Sequence, residues 1–176
     1  MIKLNLGSGG RHLPGFLSVD SRRECGSIDC VHDISKPLPY KDNSVSVIFA
    51  SHILEHFWWQ DSEKLLKDWC RVLKPGGYLD VWTPDFKYII DKYINGDPYR
   101  IPYENMKWVN NLIFSRSHMD GVVNTVNEHH AMFDRQYLKQ CMKKGGFTKF
   151  VDLVVDKHFP FKNVHVGFNM GVRGYK

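Results

Sequence analysis

The sequence predicts a doubly wound α/β fold, with a mostly parallel sheet and a curtailed first helix. Short apolar runs alternate with a segment of helical spacing, and "SVSVIFA" is a nearly continuous β-branched and aromatic run. A strand that is apolar on both faces is typical of a parallel sheet covered on both sides. A glycine-rich turn also follows the first apolar run, as in nucleotide-binding sheets.

Five short apolar runs in the first half of the chain predict strands. They are residues 3–6, 16–19, 28–31, 45–50 and 78–82. Residues 62–73 carry apolar side chains at helical spacing, and residues 74–77 (Lys-Pro-Gly-Gly) predict the end of that helix and a turn into the next strand. A strand, a helix and a further strand in this order indicate a parallel sheet.

The second half of the chain is less regular. Residues 86–94 predict a helix that Asn-Gly-Asp-Pro at 95–98 ends, and residues 135–144 predict another helix that two glycines end. Strands are predicted at 147–155 and 164–172. We therefore expect one domain over residues 1–176, with an irregular insertion at about 96–133.

Composition limits the function classes. At 176 residues the chain is about one domain long, and it has no run of 18 apolar residues, which disfavours a membrane span. The N-terminus enters a strand pattern at once, so we expect no signal peptide and a cytoplasmic protein. The four cysteines lack metal-binding spacing and are expected to be reduced thiols.

Positive charge is concentrated at the C-terminal end. Up to Asp134 the chain has 15 Lys and Arg against 17 Asp and Glu, and from Arg135 onward it has 9 against 2. Such a basic segment could face an anionic substrate, although a solvated surface is the commoner explanation.

The glycine turn lies unusually close to the next acidic residue. Gly9 and Asp20 are only 11 residues apart, whereas a dinucleotide-binding unit separates its glycines from the ribose-binding acid by about 20 residues. Pro14 and Gly15 leave room for about one helical turn, which could barely bind a pyrophosphate. A cofactor with an adenosine and no phosphate suits this spacing better. Alone, the glycines could equally form an ordinary turn.

Linked motifs follow in the next third of the chain. They are Asp33, Leu38-Pro39-Tyr40, Asp42-Asn43-Ser44, Leu54-Glu55-His56 and the segment from Arg71 to Gly77. In this order they resemble the class I S-adenosylmethionine (SAM)-dependent methyltransferases, over residues 3 to about 85. The segment "HHAMFDRQYLKQCMKKGGF" resembles the closing helix of that family less specifically.

The resemblance implies a Rossmann-like sheet of about seven strands with the last antiparallel, SAM as cofactor, and methyl transfer as the activity. It implies that a glycine turn surrounds the methionine portion, that Asp20 binds the ribose, and that Asp33 and the Ile34 amide address the adenine. Arg11 replaces the usual third glycine of the family. The cofactor-binding residues implied in this way are Gly7, Ser8, Gly9, Asp20, Asp33, Ile34 and Ser51.

Histidines are the natural candidates for proton transfer during methyl transfer to a hydroxyl. We predict catalytic roles for His52, His129 and His130. His52 and His56 are four residues apart, a spacing that could hold a metal, but His56 belongs to the family motif and we expect a hydrogen-bonding role for it and no metal site. One of His129 and His130 could instead pack the closing helix, with Asp134 as its N-cap. Asp85 could bind a ligand or cap the helix that follows it.

We expect a small-molecule or sugar-type acceptor that is methylated on oxygen or nitrogen. The chain lacks the Pro-Pro-aromatic step of DNA amino-methyltransferases and the Pro-Cys nucleophile used on cytosine, so nucleic acid is disfavoured, and no membrane is expected to take part. The insertion at 96–133 is expected to form the acceptor wall. Alternatives are a SAM-binding protein without catalysis and a methyltransferase that acts on a protein or nucleic acid. A dinucleotide-dependent oxidoreductase is contradicted by the short glycine-to-acid spacing.

Overall fold

The protein's structure, a computed structural model, describes residues 1–23, 26–95, 109–110, 113–114, 128–161 and 168–176. Seven strands form one sheet in the order β3-β2-β1-β4-β5-β7-β6. In chain order they are β1 (Ile2–Leu6), β2 (Leu17–Asp20), β3 (Cys30–Val31), β4 (Val45–Ser51), β5 (Leu73–Pro84), β6 (Lys149–Leu153) and β7 (Asn169–Tyr175).

The pairing confirms the predicted fold class. Strands β1 to β5 pair parallel to one another, whereas β7 lies antiparallel between β5 and β6. Residues 7–16, all of which the structure describes, join β1 to β2 through turns without a helix. This is the curtailed first helix that Pro14 and Gly15 predict.

Four α-helices have their full bounds in the described ranges, and residues 109–110 and 113–114 are also helical. The four are α1 (Ser62–Val72), α2 (Phe86–Asn95), α3 (Arg135–Lys144) and the single turn α4 (Val155–His158), with short 3-10 helices at Leu54–His56 and Trp59–Asp61. Asp134 caps α3, because its carboxylate accepts a hydrogen bond from the Tyr137 amide at 2.7 Å. Asp85 caps α2 in the same way, through the Tyr88 amide at 3.2 Å.

The two faces of the sheet have separate cores. Alternate strand residues such as Ile48 and Ala50 pack with α1 and α3 in the larger core. Phe49 and Trp82 point to the other face, where they pack with Leu13, Leu153 and the rings of residues 159 and 161. Both faces of the central strands are therefore covered, as the apolar run at 45–50 predicts.

Strand β5 begins earlier than predicted. The predicted turn at residues 74–77 is instead an irregularity within the strand: Leu73 already pairs with Val45, and regular pairing resumes at Tyr78 with Val47. The local turn signal was right, since Gly76 has a φ of 76°. The strand nevertheless continues on both sides of the turn because β4 offers partners to both segments.

The last strands also differ from their predicted bounds. Strand β6 is shorter than the predicted 147–155, because α4 begins at Val155. Strand β7 begins at Asn169 and runs beyond the predicted end at 172 to Tyr175. Residues 162–167, which include the predicted start of this strand, lie outside the described residues.

Most of the insertion predicted at 96–133 lies outside the described residues, including Trp108, Arg116 and His118. Residues 128–133 are described and return the chain to the sheet, where Phe133 forms a bridge with Asp85. None of the helices in the described ranges has the length and apolarity that a membrane span requires.

Candidate active site

The predicted cofactor residues lie along one edge of the sheet. Because β1 to β5 are parallel, their carboxyl ends meet at the same edge, and the sheet order places Asp33, Asp20, Gly7 and Ser51 along it in that sequence. The strands β1 to β3 follow one another towards one end of the sheet, and β4 and β5 lie on the other side of β1, so the strand order reverses between β1 and β4. Ligands of open α/β sheets bind at such a switch point.

The glycine turn after β1 has a conformation that requires glycine. Gly7, Gly9 and Gly10 have φ values of 63°, 53° and 77°. A Cβ at Gly7 would lie 2.4 Å from Cγ1 of Ile53, so Gly7 also permits close contact with the segment after β4. A Cβ at Gly9 would have no neighbour within 4 Å, which indicates open space on that side of the turn.

Asp20 is bonded to the glycine turn. It is 5% exposed at the end of β2, and its carboxylate accepts hydrogen bonds from the Gly9 amide at 2.8 Å and the Arg22 amide at 3.1 Å. A carboxylate has about four acceptor positions, so two bonds leave capacity for ribose hydroxyls.

Asp33 and Ile34 follow β3 at the outer end of the same edge. Asp33 is exposed, and hydrogen bonds from the Ser35 hydroxyl and amide lower the pKa of its carboxyl. Ile34 is buried. An exposed, ionised carboxylate can accept the hydrogen bond that the amino group of an adenine donates, and the buried apolar residue lies directly next to it.

A second group of polar side chains begins directly after β4. We call His52, Glu55, His56 and His129 the Glu–His cluster. The backbone of His52 has a φ of 51°, which is strained for a residue with a Cβ, and it is held by a hydrogen bond from its amide to the Trp82 carbonyl at 2.8 Å. Strain of this kind concentrates at functional sites.

Glu55 is the buried centre of the Glu–His cluster. It is 1% exposed, and its Oε1 lies 3.0 Å from Nδ1 of His52. Burial by itself would raise the pKa of Glu55, but the hydrogen bond from His52 and the charges of His52, His56 and His129 together hold that pKa below its ordinary value. An ionised Glu55 can only accept, so Nδ1 of His52 carries the proton that joins them.

The segment 128–131 closes the cluster from the other side. His56 Nδ1 lies 3.1 Å from the Glu128 carbonyl, and the rings of His56 and His129 meet edge to face with centroids 4.9 Å apart. The Glu55 carbonyl accepts hydrogen bonds from the amides of His130 at 2.8 Å and Ala131 at 3.2 Å.

Two of the three predicted catalytic histidines thus belong to one cluster. The ring of His130 lies apart from it, stacked on the exposed Trp58 with centroids 4.4 Å apart. Glu55 was not among the predicted site residues. Its signal was present, since an acidic residue three positions after His52 lies on the same side of a helical turn.

Residues 15–81 match the family model of a methyltransferase domain. A SAM-dependent methyltransferase from Thermotoga maritima is 22% identical, with a TM-score of 0.60 over 99% of this chain and 82% of that one. Enzymes described in the same words from Methanosarcina mazei and Archaeoglobus fulgidus are each 16% identical, with TM-scores of 0.63 and 0.62. Each of these matches covers 99% of this chain, and they cover 91% and 85% of the respective solved chains. No curated protein sequence matches significantly.

At these identities the solved structures establish the fold. The family model adds a match to a methyltransferase domain over residues 15–81, which include the linked motifs from Asp33 to Gly77. The match and the fold together support a class I SAM-dependent methyltransferase. They imply SAM as the cofactor, and the Rossmann-like sheet with one antiparallel strand matches the fold of that class.

The residues at the sheet edge fit this cofactor. The Ser8 hydroxyl is buried and has no hydrogen-bond partner among the described residues, which leaves a polar group ready for a ligand. The open space at Gly9 and the remaining acceptor positions of Asp20 lie next to it. The turn between β1 and β2 has no helix whose N-terminus could bind a pyrophosphate, in agreement with a cofactor that has none.

Proposed function

We propose that this methyltransferase acts on an oxygen or nitrogen atom of a small-molecule or sugar-type acceptor. One contact supports the proposal most: Ile53 packs against Gly7, so the Glu–His cluster begins beside the glycine turn. An acceptor atom held at the cluster would lie close to the cofactor. Holding a nucleophile in line is the main contribution that methyl transfer needs from a protein.

The proposed cofactor contacts follow the sheet edge. SAM supplies a methyl group on a sulfonium, which a nucleophile attacks in line. The turn would bind its methionine portion through backbone amides, Asp20 would accept from the ribose hydroxyls, and Asp33 would accept from the adenine amino group. The full proposed set is Gly7, Ser8, Gly9, Asp20, Asp33, Ile34 and Ser51.

His52 is the proposed proton acceptor for a hydroxyl acceptor. Its Nδ1 donates to Glu55, which fixes the ring and leaves Nε2 as the nitrogen that can take a proton. This pairing of a histidine with a buried carboxylate is a recurrent way to orient a general base. A neutral amine acceptor would need this base much less.

The acceptor is proposed to bind between the cluster and an aromatic surface. The ring of Trp58 is 59% exposed and lies stacked with His130, and aromatic faces of this kind bind the apolar faces of ring-shaped ligands. His129 would line the same space from the cluster side. We propose that the insertion at 96–133 completes this wall within a single domain, and that the reaction takes place in the cytoplasm, where the described cysteines stay reduced.

An acceptor screen with tritium-labelled SAM tests the proposal. The panel contains sugars, phenols and small amines, with peptides and RNA as the competing classes. We expect label in a small molecule. Label only in a peptide or RNA would contradict the proposal, and so would SAM binding without transfer to any member of the panel.

The variant His52→Gln tests the proposed base on the best hydroxyl acceptor of that screen. We expect the rate to fall by roughly 10²–10⁴-fold, the usual contribution of a general base. The affinity for S-adenosylhomocysteine should stay unchanged. The matched control is His12→Gln, which replaces an exposed histidine outside the cluster. Equal rates in the two variants would exclude His52 as the base.

A further inference from the structure

Three residues of the Glu–His cluster have the composition of a metal site. Glu55, His56 and His129 each offer one ligand atom, and these atoms lie within 4.8 Å of one another. Glu55 is buried and the two histidines are half-buried. Two imidazoles and one carboxylate are a ligand set used by Zn²⁺ and other divalent transition metals.

The buried carboxylate has an unused oxygen. Oε1 of Glu55 is paired with His52, whereas Oε2 has no hydrogen-bond partner among the described residues. The residue is only 1% exposed. Leaving a buried carboxylate oxygen unpaired is unfavourable. A cation bound to Oε2 would remove this cost.

His56 is oriented as metal-binding histidines are. Its Nδ1 faces the Glu128 carbonyl at 3.1 Å. A carbonyl can only accept, so Nδ1 carries the proton, and Nε2 of the neutral ring holds the lone pair that a metal ion needs. Histidine ligands usually donate their other N–H to such a group, and carboxylate ligands are hydrogen-bonded in turn, as Glu55 is by His52.

The backbone holds the two halves of the group together. The Glu55 carbonyl accepts the amides of His130 and Ala131, so the segment that carries His129 is tied to the 3-10 helix Leu54–His56. Ligands around tetrahedral zinc are roughly 3.3–3.5 Å apart, given bonds of about 2.0–2.1 Å. Ligand atoms that lie within 4.8 Å of one another need to approach by at most about 1.5 Å to reach this spacing.

We propose that Glu55, His56 and His129 bind one divalent transition-metal ion of the Zn²⁺ type. Three protein ligands leave a fourth position open, as in catalytic rather than structural zinc sites. The same three-residue set disfavours Mg²⁺ and Ca²⁺, which prefer oxygen ligands. The proposal does not depend on the identity of the methyl acceptor, because metal binding is measurable without cofactor or acceptor.

The test is a titration of the full chain with Co²⁺ and with Zn²⁺ after treatment with a chelator. Calorimetry should show one Zn²⁺ per chain, and Co²⁺ should develop the visible absorption of a four- or five-coordinate site. Mg²⁺ should give no binding. In His56→Gln and His129→Gln the Zn²⁺ affinity should fall at least about a hundredfold. Removing a group that only hydrogen-bonds to a ligand already costs up to about a hundredfold, so losing the ligand itself should cost at least as much.

His12→Gln, with an exposed histidine replaced, is the control and should bind like the wild type. Circular dichroism checks the fold of each variant; if His56→Gln fails to fold because the Glu128 contact is lost, His129→Gln decides. Retained binding of S-adenosylhomocysteine separates loss of the metal from loss of the methyltransferase site. Absence of stoichiometric Zn²⁺ binding in the wild type would overturn the proposal. The proposal would also be overturned if folded His129→Gln bound Zn²⁺ with the wild-type affinity, because the metal would then bind elsewhere, for example at a site built from cysteines.

Discussion

At the residue scale, Gly7 joins the two parts of the candidate active site. It adopts a positive φ in the cofactor turn, and it also lets Ile53 approach from the segment that carries the Glu–His cluster. Gly9 shares the positive φ but has open space where a Cβ would be. A comparison of Gly7 with Gly9 therefore separates the effect of the positive φ from the effect of the contact with Ile53.

Gly7→Ala should destabilise the fold more than Gly9→Ala. Both variants place an L side chain in the left-handed region, which costs roughly 1–2 kcal/mol. Gly7→Ala adds a clash with Ile53, and overpacking of this kind costs about 1–3 kcal/mol more. Urea denaturation measures the free energy of unfolding of each variant. Equal losses in the two variants would show that the contact with Ile53 is unimportant.

The sequence predicted the residues at this scale unevenly. The place of Asp20 at the end of β2, beside the glycine turn, was predictable from the strand pattern, whereas its role as the ribose ligand stays a prediction. For Glu55 only the spacing from His52 is a local signal; its burial and its proximity to His129, which is 74 positions further along the chain, are not. Contacts between segments so distant in sequence leave no local pattern.

At the element scale, an ion pair joins β5 to the antiparallel strand β7. Asp80 pairs directly with Arg173, and the guanidinium binds both carboxylate oxygens at 2.7 and 2.8 Å. The same guanidinium lies 4.0 Å from the ring centroid of Tyr78. The hydrogen bonds to Asp80 raise the pKa of Arg173 further, so this residue remains charged at any pH at which the protein folds.

Asp80→Ala should lower the free energy of unfolding by about 1.5–3 kcal/mol, the usual contribution of hydrogen bonds to a charged group. The loss is expected because Arg173, whose side chain is 24% exposed, would lose both carboxylate bonds. Glu63→Ala is the control: it removes the partner of Lys144 in an exposed ion pair and should change stability little. Urea denaturation compares them, and a loss no larger for Asp80→Ala than for the control would contradict this account.

Element bounds were predicted best where periodicity alone sets them. Helix α1 was predicted within one residue, since its apolar spacing ends where the chain leaves the sheet face. The start of β5 was not predicted, because the pairing of Leu73 with Val45 depends on the neighbouring strand. A Cβ at Gly77 would lie 2.9 Å from the Ser46 carbonyl, so this glycine serves the contact between the strands as well as the turn.

At the scale of the whole molecule, the strand order brings the site together. Glycine turn, Asp20, Asp33 and the Glu–His cluster come from separate segments, and the parallel strands deliver all of them to one edge. The sequence predicted this edge because parallel strands expose their carboxyl ends together. The acceptor wall expected of the insertion at 96–133 stays a prediction, since most of that insertion lies outside the described residues.

The central claim is that this edge binds SAM, through a short turn that does not suit a dinucleotide. Calorimetric titration of the wild-type chain with S-adenosylhomocysteine and with NAD⁺ tests it most directly, with Asp20→Ala as the variant and Asp152→Ala, an exposed residue of β6, as the control. We predict one S-adenosylhomocysteine per chain, no NAD⁺ binding, and an affinity about 10–100-fold lower in Asp20→Ala, since hydrogen bonds to a charged group contribute roughly 1.5–3 kcal/mol. Tighter binding of NAD⁺ than of S-adenosylhomocysteine, or an unchanged affinity in folded Asp20→Ala, would contradict the account.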